Sequence, residues 1–513
     1  MTGELGQIIR ALTSPEAYPH EVSAVEVIQT HVSYVLLAGE YAYKIKKPLS
    51  LGFLDYGTLE LRRRMCEEEV RLNRRLCDGV YLGVVPVTRR GPAYRMGGDG
   101  EAVEYAVHMR RVPRERMLDQ LIAHGAPIAN AVRRVARKIA SFHQRAQTDD
   151  HIASYGRPAV LRMNCEENFQ QLSPFGGSLI RAQDVDALRQ YVQRSLDRDG
   201  ALFEQRAEGG RVRDNHGDLR SDAVYVSADG GVCIMDCIEF SERIRFGDVA
   251  GDIGFLAMDL EFRNRRELSD ELMATYLTAA PDETLPVVLP FYKTYRAVVR
   301  AKVEAMRSAE SEVPEEARTA SREAAREYIE LALRYASRSY PPCLIYMVGL
   351  SGTGKSFIAN AIACRTGAAV LGSDVLRERG GVPAEDRYTL EQRDRVYDEM
   401  RRRAAEHLAL GRPVILDATH IARRHREAAR QLAARFGAPA FAVEVVATEA
   451  LVRSRLAERV SEGVSVSDAT WRVYQEQQRE AEPIGPDEAN VIRLPAETGL
   501  TPAVDAVLAA IGA

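Results

Sequence analysis

The segment GLSGTGKS places Gly349, Gly354, Lys355 and Ser356 in the pattern G-x-x-x-x-G-K-S/T, after an apolar run and before a helical one. Glycines let successive backbone N–H groups turn inward on a phosphate, and the helix N-terminus adds a favourable potential for an anion. In such a loop Ser351, Gly352 and Thr353 supply backbone to the cradle. Lys355 bridges the β and γ phosphates of a nucleotide, and Ser356 ligates Mg²⁺. The chemistry implied is binding of ATP and Mg²⁺ for phosphoryl transfer.

Acceptor chemistry must come from other residues. The next strand ends in GSDVLRER, which sets Asp374 and Arg377 at the carboxyl edge of a parallel sheet, where ligands of open α/β sheets bind. A third strand ends in VILDATH, with Asp417 at the same edge. Asp417 suits the metal's water shell, Asp374 suits the proton of an attacking hydroxyl, and Arg377 suits an anionic substrate. For Asp374 the competing reading is a simple helix cap. On the helix TEALVRSRLAERV, Arg455 and Arg459 are candidates to neutralise charge on the transferring phosphoryl group, whereas most helix arginines only face water.

Together GLSGTGKS, SDVLR, LDATH with Arg424 or Arg426 after it, and RLAER resemble the small P-loop kinases that include zeta toxins, gluconate kinase-like enzymes and polynucleotide 5′-kinase domains. The resemblance covers about residues 343–512 and implies ATP-dependent phosphorylation of a hydroxyl with Asp374 as base.

A second constellation lies upstream. NHGDLRSDAVYV holds Asp218, and CIMDCIEF places Asp236 on the strand after a short hairpin. One carboxylate, Asp218, orients an acceptor hydroxyl while the other, Asp236, carries Mg²⁺ on nucleotide phosphates. Lys44 in YAYKIKK lies on a strand and Glu69 on the following helix, the order of a kinase strand lysine and its helix glutamate. Singly these are weak: the lysines also suit an exposed basic edge strand, Glu67 to Glu69 a solvated helix face, and His216 a structural role.

The set resembles the aminoglycoside phosphotransferase-like family, over about residues 25–310, with HGDL and MDCIEF as the specific parts. The resemblance makes Asp248 and Asp252 a supporting helix start and puts adenine against Met109 to Val112. The family's metal-binding Asn, five residues after the catalytic Asp, is Ala223 here, and Ala cannot coordinate Mg²⁺. The whole chain resembles bacterial fusions of an aminoglycoside phosphotransferase-like domain with an ATP-binding P-loop domain.

The elements that must position these residues follow from pattern. Val27 to Lys47 reads as a hairpin broken at Ala38-Gly39-Glu40, with a helix over residues 62–76 and strands over 80–87 and 102–109. Mostly helical sequence, interrupted by a hairpin turning at residues 228–231, runs to about Arg338, and Tyr340-Pro341-Pro342 marks a boundary. Strands and helices then alternate, with strands near 344–348, 369–371, 414–416, 441–446 and 491–494. The expected fold is an α+β protein-kinase-like two-lobed domain over 1–338 (small lobe about 25–110, helical lobe about 111–338), then an α/β P-loop kinase domain over 341–513 with a five-stranded parallel sheet.

A length of 513 residues needs more than one core, and the 69 basic against 73 acidic residues give no field that draws in nucleic acid or a membrane. The start lacks the pattern of a signal peptide, and no apolar run is long enough to cross a bilayer, so a cytoplasmic location is expected. Seven cysteines without a CxxC pair read as reduced structural thiols. The partner expected is a small hydroxyl-bearing molecule; Arg296, Arg300 and Lys302 suit either the lining of the first cleft or solvent, and solvent is the expectation. Two alternatives stay open: a P-loop ATPase regulated by a catalytically weak kinase-like sensor, motivated by Ala223, and a polynucleotide 5′-kinase, motivated by SDVLR and the arginine-rich RRHREAARQLAARF.

Overall fold

A computed structural model describes residues 4–51, 54–177, 179–379, 389–462 and 470–512, and its description excludes the side chains of residues 51, 379, 390 and 458–462. The chain divides into two compact units, the first formed by Met1–Arg134, Arg145–Val160 and Ala201–Asp252, the second by Val135–Gln144, Leu161–Gly200 and Ile253–Ala513.

In the first unit a six-stranded antiparallel sheet begins with strands Val25–Gln29, Ser33–Ala38 and Tyr41–Lys46. The turn into Tyr41–Lys46 contains Gly39 at φ +60°, a left-handed position that a glycine adopts without strain. Tyr41–Lys46 pairs on one side with Ser33–Ala38 and on the other with Glu101–Arg110, so it is an interior strand and the basic-edge reading is excluded. Period two then sorts its side chains: Tyr43 and Ile45 enter an apolar core with Ile9, Leu12 and Leu36, while Lys44 and Lys46 share the opposite face.

The helix Leu59–Asn73 starts where Thr58 accepts the Leu61 N–H at 3.2 Å. Its buried residues are Arg62, Cys66, Glu69, Val70, Leu72 and Asn73, so half of its buried side is polar or charged. Arg62 is neutralised by Glu104 at 2.8 Å. The polar members interrupt the apolar side of this helix. The rest of the region before Pro341 is mainly helical, with the hairpin Val224–Val226/Val232–Ile234, and the α+β protein-kinase-like fold is present. Arg296 corrects one expectation: it is buried, and its guanidinium lies 4.7 Å from the Phe255 ring centre. Arg300 and Lys302 are likewise engaged, with Glu304 at 2.5 Å and Asn168 at 2.8 Å.

In the second unit a parallel five-stranded sheet has the order 369–372, 414–417, 344–348, 440–446, 491–495. The strand Leu344–Val348 is central and buried throughout, as a strand covered by helices on both faces must be. Its C-terminal edge therefore gathers the loop 349–354, Asp374 and Asp417, the topological condition for a ligand site.

Behind that edge His420, at φ +41° and fully buried, donates from Nδ1 to the Met347 carbonyl at 2.8 Å. Burial lowers its pKa from 6.5 to about 3. His425 is likewise lowered by burial, to about 4. Above pH 6.5 each is neutral folded or unfolded and contributes nothing; below it the unfolded chain takes up a proton that the folded chain refuses. The unfolding free energy of this part should thus fall by about 1.4 kcal/mol per pH unit per histidine as pH drops below 6.5. Denaturant titrations at stepped pH should show this slope, and His420→Phe should flatten it by about half.

Candidate phosphoryl-transfer sites

The helix Lys355–Thr366 begins directly after Gly354, whose φ of +101° completes the inward turn of the loop. The cradle has no room for side chains: a Cβ on Gly349, at φ +138°, would lie 2.6 Å from the Val445 carbonyl oxygen, and one on Gly352 would lie 2.9 Å from Val452. The Ser351 N–H donates at 2.8 Å to Oε1 of Gln477, a carboxamide oxygen at a donor suited to phosphate. Lys355, 8% exposed, donates to the Leu350 carbonyl at 2.7 Å. Arg455 donates to the Thr353 carbonyl at 2.7 Å, which sets its guanidinium against the loop. Gly349→Ala should therefore force the loop off strand 440–446 and weaken ATP binding at this site by about tenfold or more, checked by nucleotide titration.

Loop and carboxylates share one cavity of about 560 Å³ lined by Gly352, Gly354, Lys355, Ser356, Asp374 and Asp417 among others. Arg377 reaches Asp374 at 2.6 Å on the first turns of helix Ser373–Arg379, so this arginine already neutralises a carboxylate. The cradle, Ser356 and Asp417 fit a nucleotide with Mg²⁺; the ion would draw remaining ligands from phosphate oxygens and water, as Mg²⁺ commonly does. Arg459 rides on helix Glu449–Glu462, and its side chain lies outside what the structure describes. Arg426, part of the resemblance to P-loop kinases, is fully buried and committed to structure: it meets Glu488 at 2.8 Å and donates to the carbonyls of His420, Ile421, Glu482 and Pro483. Arg424 instead meets Asp394 at 2.8 Å on the surface.

In the first unit Lys44 lies 2.9 Å from Glu69 and 3.0 Å from Asp236. Burial opposes its charge, but Asp236 and Glu69 hold the ammonium well above the usual lysine range, and Lys44 holds the Asp236 carboxyl down. Asp236 does not lie on a strand as expected: the strand ends at Ile234, and Asp236 sits at φ +60°, turned out of the ladder, with its side chain 64% exposed. Sequence reading missed Lys46, 1% exposed, which meets the other oxygen of Glu69 at 2.6 Å and also pairs with Glu239. The i, i+2 spacing of the two lysines was the available signal.

Asp218 accepts from Arg220 at 3.2 Å, and Arg220 also meets Asp222 at 2.9 Å. Asp252 fixes the backbone before Asp218 by accepting the N–H groups of His216 at 3.1 Å and Gly217 at 2.9 Å. Asp248 forms a buried bidentate pair with Arg206 at 2.7 Å. His216 is fully buried, with Nε2 2.7 Å from the Met235 carbonyl, which is the structural role. Met109 packs with Val84, Val112 and Met235 against a cluster containing Val70 and Val107, an apolar surface able to take a flat base.

Residues 344–484 match the AAA domain family, which agrees with the parallel sheet and phosphate loop. Over 420 residues the chain is 34% identical to uncharacterized proteins of Mycobacterium tuberculosis and Mycobacterium bovis, covering 80% of this chain and 81% of each relative. It belongs to the same family as those proteins. Among solved structures, a gluconokinase from Sinorhizobium meliloti 1021 aligns at 21% identity over 34% of this chain and 93% of its own, with a TM-score of 0.27. A choline/ethanolamine kinase family protein from Mesorhizobium loti aligns at 14% identity over 61% of this chain and 92% of its own, with a TM-score of 0.37. The chain combines an α+β kinase-like fold with a parallel-sheet P-loop fold. No helix among the described residues is long and apolar enough to cross a membrane.

Proposed function

We propose that the protein is an ATP- and Mg²⁺-dependent phosphotransferase with two kinase-type sites that phosphorylates hydroxyl groups of small molecules. The observation that carries this reading is the single cavity shared by the phosphate cradle, Asp374 and Asp417. In that site the loop N–H groups and Lys355 bind the phosphates, and Arg455 faces the charge that develops on them. Ser356 and Asp417 hold Mg²⁺, which when bound offsets charge on the β and γ phosphates. Asp374 takes the proton of the acceptor hydroxyl as its oxygen bonds to the γ phosphorus. The bond from that phosphorus to the β–γ bridging oxygen breaks, and ADP leaves.

In the first site Lys44, steadied by Glu69, meets the phosphates, Asp236 carries Mg²⁺ and Asp218 orients the hydroxyl, with adenine on the apolar surface around Met109. The P-loop domain extends from about 341 and the kinase-like domain precedes it. The test is transfer of γ-labelled phosphate to a metabolite extract by the full chain, Lys355→Met, Asp218→Asn and the double variant. Each single variant should lose one set of products; transfer that survives in the double variant sinks the proposal.

A second reading, nucleotide sensing without turnover by the first site, is favoured by Ala223, whose buried methyl replaces the metal-binding amide. It predicts that Lys355→Met binds ATP equally with and without Mg²⁺ and transfers no label.

A further inference from the structure

The P-loop cavity has a wall that the P-loop half does not supply. Leu277, Thr278, Pro281, Asp282 and Glu283, at and after the end of helix Arg266–Ala279, line it. The segment is fixed in place: the Val370 N–H on the edge strand donates to the Glu283 carbonyl at 3.2 Å, and Asp282 accepts the N–H groups of Thr284 at 3.1 Å and Leu285 at 3.0 Å. Across the cavity the helix Leu390–Ala409 presents Arg393 and Arg403, both in the lining. Ten residues of helix put them about 15 Å apart, so the cavity runs well beyond what a γ phosphate and one hydroxyl occupy. At the far end Arg403 meets Glu283 at 2.5 Å, and Asn360 donates to the Thr278 hydroxyl at 3.4 Å.

Charge decides the ligand class. Among the described residues five Lys or Arg side chains line the cavity against six Asp or Glu, a formal balance of −1 before any nucleotide arrives. The four arginines of that lining are already matched, Arg377 with Asp374 at 2.6 Å, Arg393 with Glu480 at 3.0 Å, Arg472 with Glu476 at 2.9 Å and Arg403 with Glu283. Even with Mg²⁺ bound and Arg455 counted beside the loop, a nucleotide leaves the described side chains net negative, with no surplus cation for a charged acceptor. Paired guanidinium and carboxylate groups instead offer donors and acceptors side by side, and hydroxyl groups, which both donate and accept, match that edge. Phe357 and Pro281 add apolar surface for a carbon skeleton.

We infer that the acceptor of the P-loop site is an uncharged polyhydroxylated small molecule, a sugar or polyol, whose end remote from the reacting hydroxyl is bound by Thr278, Glu283 and Arg403. This rests on the P-loop site being the phosphoryl-transfer site proposed above. It makes a segment outside the P-loop half the acceptor-specificity element. It also reassigns Arg377, read from sequence as an anion binder, to orienting Asp374.

The full chain carrying Asp218→Asn, which silences the first site, is given γ-labelled ATP, Mg²⁺ and separate panels of neutral sugars and polyols, sugar acids, sugar phosphates and nucleosides. Label should move to a neutral sugar or polyol. Glu283→Gln and Thr278→Val, added singly, should each raise the KM for that acceptor by about tenfold with a smaller change in kcat, because a hydrogen bond to the bound acceptor is lost. Thr278→Val breaks no ion pair, so it tests the wall even where Glu283→Gln unfolds the protein. Preference for sugar acids, phosphates or nucleosides overturns the inference, as does labelling of no panel member, or an unchanged KM in Thr278→Val. Transfer that persists in Lys355→Met overturns the P-loop reading itself, a separate outcome.

Discussion

Replacing Lys355 by Met should lower phosphoryl transfer at the P-loop site by about a hundred- to a thousandfold, the cost of removing one preorganised donor from a developing charge. Lys355 is 8% exposed, and its ammonium is already inside the loop, where it donates to the Leu350 carbonyl at 2.7 Å. Exchanging that carbonyl for a phosphate oxygen requires only a small side-chain movement. Because the charge on the phosphates rises most in the transition state, the loss should fall mainly on kcat and less on ATP affinity. Single-turnover measurements separate the two. In the same preparation products of the first site should persist, and an unchanged rate for every product removes Lys355 from catalysis.

The second large effect is on stability. Arg426 and Glu488 are both fully buried in the side chain, and Arg430 reaches the second oxygen of Glu488 at 2.6 Å. The hydrogen bonds from Arg426, larger in effect than the burial that opposes them, hold the Glu488 carboxyl down to about 2. Arg426→Ala leaves a buried carboxylate with half its compensation and takes a donor from four carbonyl oxygens, of which that of Ile421 still accepts the Glu482 N–H, so it should cost about 3–5 kcal/mol. Arg426→Lys should recover little, since a point charge cannot span a bidentate pair and several carbonyls. Denaturant titration followed through the P-loop half should show the loss. The double variant Arg426→Met, Glu488→Met should be less destabilised than Arg426→Ala, because no charge is left stranded. Equal stability of Arg426→Ala and the wild type rejects the structural role.

Some of this was legible in the residues. GLSGTGKS needs glycines at particular places because the backbone itself binds phosphate, and the steric limits at Gly349 and Gly352 show why no other residue serves. The five strands of the second half were legible because a buried parallel strand is a short continuous apolar run. Lys44, Glu69 and Asp236 were legible by order alone, although their convergence at about 3 Å joins residues 192 positions apart. Other features carried no local signal. Lys46 reads like any strand lysine until its strand proves interior, and Arg426 reads like a solvated helix arginine until Glu488 arrives from 62 residues away.

Local chemistry therefore determined which residues can cradle phosphate, and the periodicities determined on which elements they ride, since both depend on neighbours within a turn or a strand. Which charges face one another was decided only by tertiary structure. Ion pairing depends on distance in space, and the pair with Asp374 takes up Arg377, an apparent anion binder, as the pair with Glu283 takes up Arg403. That last pair, and the wall contributed by Thr278 and Glu283, exist only once the edge strand at Val370 is covered by the segment that precedes it by nearly ninety residues.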